Sequence, residues 1–546
     1  MLVSIIAWIY ISLVCLIWGH MFLCFITSRK EPYQDIHPSL LCLTGLAAIG
    51  TISLAVSLVI PLDLKVHIIF LAGALLWLLG KKARKDISSL CGRLLAGYSP
   101  WQQILLAACI AMVLVITVHP INHPDTIYYH ARAILAFQRY SSIPGIANAR
   151  VQMGFQSSWF ATLAVFNPSI RHYNLLFLNG AILCWFLIFV IKGLQHSWLP
   201  WVLLAFTLAS WTQIRLTAAS GSPDFIVSIF CWAAILVFLD DSSALRGSNL
   251  VMAIVFCTAD FLTKTAGILM LLLAAMALAS IMRPLKTFIW CVMSGIVLCT
   301  RNFLASGYFL YPMSWPGFLY PRWKMPLLEL QRLRDYIRGF ATIPYIGPAA
   351  PRVLPWREKI GGWWGHISLP DQLLLSVIGI AVILYIVLFI TRRMTLKLLA
   401  WNRYRAALFV VLTGSCAWLV AAPDPRFGTG PLVALAYLLY RPLLRKLNFV
   451  PGPQIFRWSA GCTTFVIAGY LFYRCLYFVE PRNLLAPSGI DQRAYGPIGC
   501  SDVQVDLLKD TIRLAQPSSQ KCIDDYYGGF QPMGRTIREG FMPVAP

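Results

Sequence analysis

Residues 2–26 read LVSIIAWIYISLVCLIWGHMFLCFI, a stretch without a single Asp, Glu, Lys or Arg. A helix needs about 20 apolar residues to cross a hydrocarbon core, so this stretch is long enough to span one. It lacks a basic leader and a small-residue cleavage site, and is expected to be a first span, not a removed signal peptide. Similar runs recur at 38–60, 66–80, 102–119, 173–192, 198–214, 223–239, 248–263, 265–282, 285–304, 371–391, 404–421, 428–445 and 459–479. Lipid cannot satisfy backbone N–H and C=O groups, which makes helices the natural spanning structure. The runs also lack the polar alternation of a transmembrane barrel. The expected fold is therefore an all-α polytopic membrane protein with about 14 transmembrane helices. Composition agrees: 58% of the 546 residues are hydrophobic and 12% are charged, against roughly 25% charged in soluble chains.

The formal net charge is +23. Much of the basic charge lies in short loops beside apolar runs, where Lys and Arg set topology. Alternate loops hold Arg29 and Lys30; Lys81, Lys82, Arg84, Lys85 and Arg93; Lys192; Arg246; Arg283 and Lys286; Arg392, Arg393, Lys397, Arg403 and Arg405; and Arg441, Arg445, Lys446 and Arg457. The intervening short loops hold little beyond Lys65, Arg215, Lys264 and Arg426. The first set is expected to be cytoplasmic, which places both termini outside and agrees with an even number of spans. No basic helix with interleaved aromatics stands apart from the spans, so no nucleic-acid partner is expected.

The chain divides into N-terminal helices (1–100), a core (101–304) with a first large external loop (120–172), a second external segment (305–370), C-terminal helices (371–479) and an external tail (480–546). The segment 326–340 reads as a short amphipathic piece lying along the interface. No internal repeat is visible. Most of the 15 cysteines, such as Cys15, Cys42, Cys109, Cys184 and Cys231, sit in apolar runs as small hydrophobes. Cys500 and Cys522 lie in the polar tail, where an oxidising exterior permits a bridge.

Chemistry-bearing residues gather on the external side. HPINHPDTIYYHARAI places His119, His123, Asp125, Tyr129 and His130 just beyond a span. A helix starting after Pro124 puts Asp125 and Tyr129 on one face. Asp125 there serves either as a helix cap or as a general base. TAASGSPDFIV puts Asp224 at an outer mouth, where it or Ser222 could equally cap a helix, and APDPRFGTG puts Asp424 and Arg426 at another, where they could simply pair with each other. Lys264 breaks the run FLTKTAGI, and Arg301 and Asn302 sit near the outer end of theirs, in CTRNFLASGYFLYP with Tyr311. Ionisable groups in spans are costly and usually face a partner or a cavity. Lys264 and Arg301 either pair with Asp125 or Asp224, or snorkel to the interface, or join Arg426 in binding phosphate, for which the guanidinium fork is suited. Gln156, beside Ser157, Ser158 and Trp159, offers an amide and aromatic face for a sugar, and an aromatic belt at the membrane interface accounts for Trp159 equally well. The histidines lack metal-ligand spacing. No cofactor is expected, with a divalent ion as the weaker alternative.

These residues resemble a known family. The layout is similar to the GT-C class of integral membrane glycosyltransferases, which use polyprenyl-phosphate sugars. Those enzymes carry an acidic residue in the first large external loop, the place Asp125 occupies in HPDTIYYH, and often a second in a later loop, matched by Asp224 in SGSPD. HPDTIYYH, TKTAG, RNFLASGYFLYP and PDPRFG together are similar to a group of uncharacterised large bacterial membrane proteins. The resemblance covers about residues 100–440. Asp125 is followed by Thr126, so the paired acidic dyad of some members is absent. The resemblance implies an inverting glycosyltransferase in the bacterial inner membrane with both termini periplasmic. Its expected partners are a polyprenyl-phosphate-linked sugar, membrane lipid, and a glycan, lipid or protein acceptor. Asp125 and Asp224 would be catalytic, with Tyr129, His130, Gln156, Lys264, Arg301, Asn302, Tyr311, Asp424 and Arg426 binding substrate or phosphate. The alternatives are a lipid-linked saccharide transporter or flippase, or a surface-polysaccharide polymerase or ligase. A purely structural role would pair Asp125 with Arg301.

Overall fold

The structure, a computed structural model, describes residues 1–27, 36–94, 96–119, 121, 123–167, 178–194, 199–209, 217–240, 245–281, 284–342, 356–391, 402–446, 453–479, 503–507, 509–514 and 530–543. The chain is mostly helical. In order, it forms α1 (Leu2–Thr27), α2 (Pro38–Val56), α3 (Leu64–Leu78), α4 (Lys81–Gly92), α5 (Pro100–Thr117), α6 (Ala131–Arg139), α7 (Ile146–Ala149), α8 (Ser158–Phe166), α9 (Leu178–Gly193), α10 (Leu199–Ala209), α11 (Asp224–Phe238), α12 (Arg246–Thr263) and α13 (Met270–Leu278). Then follow α14 (Leu285–Ser306), α15 (Leu327–Thr342), α16 (Trp356–His366), α17 (Leu369–Ile390), α18 (Arg403–Ala421), α19 (Pro425–Lys446) and α20 (Pro453–Phe478).

Among the described residues each of the fourteen expected runs overlaps a helix, but fourteen independent spans do not follow. Among the described residues, seven helices are long and apolar enough to cross a membrane: α1, α2, α5, α14, α17, α18 and α20. An eighth is reached only by counting α3 and α4, which meet at 102°, as one broken span. The shortfall has a geometric cause. α11 has 15 residues, about 22 Å at 1.5 Å per residue, against a core of roughly 30 Å. Its apolar residues are buried by neighbouring protein. The apolar-run criterion cannot separate a helix buried in the bundle from one facing lipid. The even count that supported the assignment of sides therefore no longer follows.

Close backbone approach organises the N-terminal part. A Cβ on Gly19 of α1 would stand 1.9 Å from the Leu41 carbonyl oxygen of α2, and one on Gly45 would stand 1.9 Å from the Cys15 oxygen. Two glycines thus let the helices cross in backbone contact, as small residues do where lipid offers no hydrophobic drive to helix association. Tyr10 of α1 is tied to His67 of α3 at 2.7 Å. The outward sides of α1, α3 and α14 expose Ile6, Ile9, Ile69, Leu76, Phe288 and Met293, as lipid-facing helices should.

The expected amphipathic segment is present as α15. The all-helical description needs one correction, in the tail. There β1 (Val503–Asp506) pairs antiparallel with β2 (Thr511–Leu514), and β3 (Phe530–Pro532) with β4 (Phe541–Pro543). The tail folds back on the first large loop: Phe541 N–H donates to the Pro144 carbonyl at 2.9 Å, and the Tyr140 hydroxyl to Asp510 at 2.7 Å. Cys500 and Cys522 lie outside the described residues.

Candidate functional site

Three helix starts and one helix end converge. Pro124 opens a helical segment that runs through a π-turn (Thr126–His130) into α6, with Asp125 at its first turn. Asp224 begins α11 after Pro223, its N–H 3.3 Å from the Ser222 hydroxyl. Asp424 precedes α19 and its carboxylate accepts the Arg426 N–H at 2.9 Å. Lys264 terminates α12 in an extended conformation. Gly267, in the turn that follows, packs so tightly that a Cβ there would lie 2.7 Å from the Asp260 backbone. That contact fixes where Lys264 leaves the helix. Acids at helix starts and a cation at a helix end suit the helix dipole.

The side chains form one network. Lys264 Nζ donates to Asp224 Oδ1 at 2.7 Å. Arg426 Nη1 lies 3.3 Å from Asp125 Oδ2, and its Nε lies 3.4 Å from Asp224 Oδ2 and 4.0 Å from Asp424 Oδ2. Phe427 forms the floor beneath both cations, 3.9 Å from Lys264 Nζ and 4.6 Å from the Arg426 guanidinium carbon, a cation–π arrangement. The Asp224 side chain is 9% exposed, while Asp125 remains 34% exposed and Lys264 30%. Asp125, Lys264 and Arg426 therefore form the accessible rim and Asp224 the interior anchor.

His123 and His130 back the network, their ring centroids 5.4 Å apart, with Tyr129 4.3 Å from His130. Burial holds both histidines below the usual imidazole range, His130 well below it, and so favours neutral rings. Burial also pushes the Tyr129 phenol up, reinforced by Asp125 and Asp224. The Asp424 carboxyl is raised by burial, with Arg426 pulling the other way. His130 Nδ1 is satisfied by the Thr126 hydroxyl at 3.1 Å, while His123 Nδ1 has no hydrogen-bond partner among the described residues. No group of three or more metal-ligating side chains occurs among those residues.

Of the residues singled out in the sequence, Asp125, Asp224, Lys264, Asp424 and Arg426 come together, with Tyr129 and His130 against them. The other four are engaged elsewhere. Arg301, 4% exposed, donates to Gln156 Oε1 at 2.8 Å and to the Ser57 carbonyl at the end of α2 at 2.7 Å. It makes no ion pair with Asp125, whereas Lys264 does pair with Asp224, the alternative to phosphate binding that the sequence left open for it. The Gln156 amide also donates to Met153. Asn302 caps the following turn through the Phe309 carbonyl at 3.2 Å. Tyr311 is buried and donates to the Val151 carbonyl at 2.8 Å. The sequence reading missed Phe427, and Tyr336 of α15, whose phenol is raised chiefly by burial, with Asp125 adding to the rise and Arg426 opposing it. It also missed Asp260, 2% exposed in α12. An Asp inside FCTADFLTK is itself a visible signal.

These features define a polytopic helical membrane protein that gathers a mixed-charge network at one end of its bundle. Residues 1–433 match the model of a family described as a domain of unknown function (DUF8201), and the chain belongs to that family. No curated protein and no solved structure matches it.

Proposed function

We propose that this chain is a GT-C-type membrane glycosyltransferase. It would move a sugar from a polyprenyl-phosphate donor to a hydroxyl of a glycan, lipid or protein acceptor, at the periplasmic face of the inner membrane. The observation that carries the reading is the grip of Arg426 on Asp125, beside Lys264 and Asp224. At rest the three carboxylates outnumber the two cations, so an anionic ligand must take a cation away from an acid. Arg426 is the one to yield, because Lys264 is held closer by Asp224. A donor phosphate accepting from Arg426 releases Asp125, which becomes free to take a proton.

The acceptor oxygen then attacks the anomeric carbon, opposite the departing oxygen. The new C–O bond forms as the bond to phosphate breaks. The acceptor proton passes to Asp125, and polyprenyl phosphate leaves with one additional negative charge, stabilised by Arg426 and Lys264. Asp224 keeps Lys264 oriented. The placement of basic loops supports the assigned side. Gln102 at the start of α5 donates to the Ile191 and Lys192 carbonyls, and the network follows the opposite end of this 18-residue helix, about 27 Å away along its axis.

The direct test offers purified protein a panel of polyprenyl-phosphate sugars and follows release of polyprenyl phosphate. Release that depends on Asp125 supports the reading. Undiminished release by Asp125→Asn overturns Asp125 as the base.

One observation favours a second reading, a proton-coupled transporter of lipid-linked saccharide. Asp260 is buried within α12, its Oδ1 lacks a hydrogen-bond partner among the described residues, and it lies four residues before Lys264. Buried acids inside membrane bundles often carry protons. Translocation of an intact lipid-linked sugar in proteoliposomes, lost in Asp260→Asn and unaffected in Asp125→Asn, would select that reading.

A further inference from the structure

The segment after α14 presents large apolar side chains to the outside. Trp315 is 77% exposed, Phe318 69% and Tyr320 84%, and Met313 and Leu319 are exposed beside them. A cluster of this kind on a well-ordered scaffold marks an interaction surface. The scaffold is ordered by specific contacts. Met325 N–H donates to the Ser306 carbonyl at 2.9 Å, so the two ends of the loop meet. The Tyr308 hydroxyl donates to the Met325 carbonyl at 2.9 Å, and Trp323 Nε1 donates to the Phe303 carbonyl at 3.2 Å.

Two observations say what covers the patch. The first is continuity. Phe318 packs on Phe309 at 5.8 Å, and Phe309 stacks on Phe303 at 4.9 Å in the last turns of α14. The patch therefore extends the apolar outward side of a helix long enough to span, whose Phe288, Ile289, Val292, Met293 and Ile296 are exposed. The second concerns the backbone. Lys324 Nζ donates to the Gly317 carbonyl at 2.5 Å and the Leu319 carbonyl at 2.7 Å, and lies 3.7 Å from the Tyr320 ring centroid. Irregular backbone enters an apolar medium only when its carbonyls are satisfied by protein. Here one lysine satisfies two of them from inside the loop and is shielded by an aromatic face.

We propose that residues 313–320 are seated in the bilayer, at the boundary between headgroups and acyl chains, with Trp315, Phe318 and Tyr320 as anchors. Trp and Tyr favour that depth because their rings are amphipathic. The seat fixes the level of the charged network. Thr265, next to Lys264, donates to the carbonyl of Tyr311, two residues before the seated segment, at 3.3 Å. A ligand reaching Lys264 thus arrives from the headgroup layer. The inference holds whether the network transfers a sugar or not.

The test uses the full chain reconstituted in phosphatidylcholine–phosphatidylglycerol liposomes. A photoreactive benzoylphenylalanine replaces Phe318 in one variant, Phe288 in a second as the lipid-facing reference and Lys509 in a third as the aqueous reference. Illumination is expected to give phospholipid adducts at 318 and 288 and none at 509. Adducts at 288 but none at 318, or capture of a protein or glycan at 318, overturn the proposal. Trp315→Phe provides an independent reading, since so exposed a side chain can be replaced without disturbing packing. The emission lost with Trp315 should be quenched by phospholipid brominated near the headgroup and protected from aqueous iodide. Full access of iodide to that emission overturns the proposal as well.

Discussion

Arg426 Nη1 reaches Asp125 Oδ2 at 3.3 Å, joining two side chains 301 positions apart in the chain. The contact turns the opening of one helical segment and the start of another into a single site. It also leaves the carboxylate one-third exposed, so Asp125 is not sealed by its partner. Asp125→Asn retains the shape and a hydrogen-bond acceptor toward Arg426 but removes the basic oxygen. If the protein is the glycosyltransferase proposed above, the expected outcome is a folded protein with sugar transfer reduced about 10²–10⁴-fold, the usual contribution of a positioned general base. Single-turnover release of polyprenyl phosphate measures it, with the thermal midpoint as the folding control.

Arg301 should behave in the opposite way. Its guanidinium satisfies the end of α2 and the Gln156 amide and rests 4.3 Å over the Phe137 ring. Arg301→Met leaves those buried acceptors unpaired, at about 1–3 kcal/mol each. The expected result is a clear fall in thermal midpoint, with the apparent affinity of the remaining folded protein for donor unchanged. A variant of normal stability with weakened donor binding would return Arg301 to the phosphate-binding set.

The difference between these two arginines explains how far the sequence could be read. Apolar runs predicted helices at every position where one occurs beneath them, because hydrophobicity at that length has few other outcomes. Which helices face lipid depends on neighbours, and α11 and α9 are apolar for the bundle's sake. Asp224, Asp424 and Lys264 were legible because charge beside Pro or inside an apolar run needs a reason. Arg301 carries the same signal, yet its partner is the Ser57 carbonyl, which leaves no trace in the residue type. Phe427 was illegible in a chain this rich in aromatics.

The α1–α2 crossing offers a test of the bundle that does not involve the site. Gly45→Ala places a methyl group 1.9 Å from the Cys15 oxygen of α1, and backbone on both sides leaves no flexible side chain to yield. Overpacking of this sort costs about 1–3 kcal/mol. A lower thermal midpoint in detergent is expected, with a larger drop for Gly45→Leu. Unchanged stability in both variants would show that the helices do not cross in backbone contact.

Acidification should destabilise the protein in part through His123 and His130, the two buried histidines that back the network. Burial lowers His123 and His130 from an ordinary value of 6.5. The unfolded chain then takes up protons at a higher pH than the folded one, so stability is greatest above 6.5 and is lost as pH falls below it. Asp424 works in the other direction. Its raised carboxyl binds a proton in the folded state before the unfolded chain does at 3.8, and this offsets part of the loss at lower pH. The two effects separate by position on the pH axis, because the histidine loss begins at 6.5 and the Asp424 gain is completed only near 3.8. Thermal midpoints measured from pH 7.5 down to 5 are expected to fall, and the fall should be shallower in His130→Gln. A midpoint independent of pH across that window would mean that His123 and His130 take up protons in the folded protein as readily as in the unfolded chain, and that the network is wetter than its packing implies.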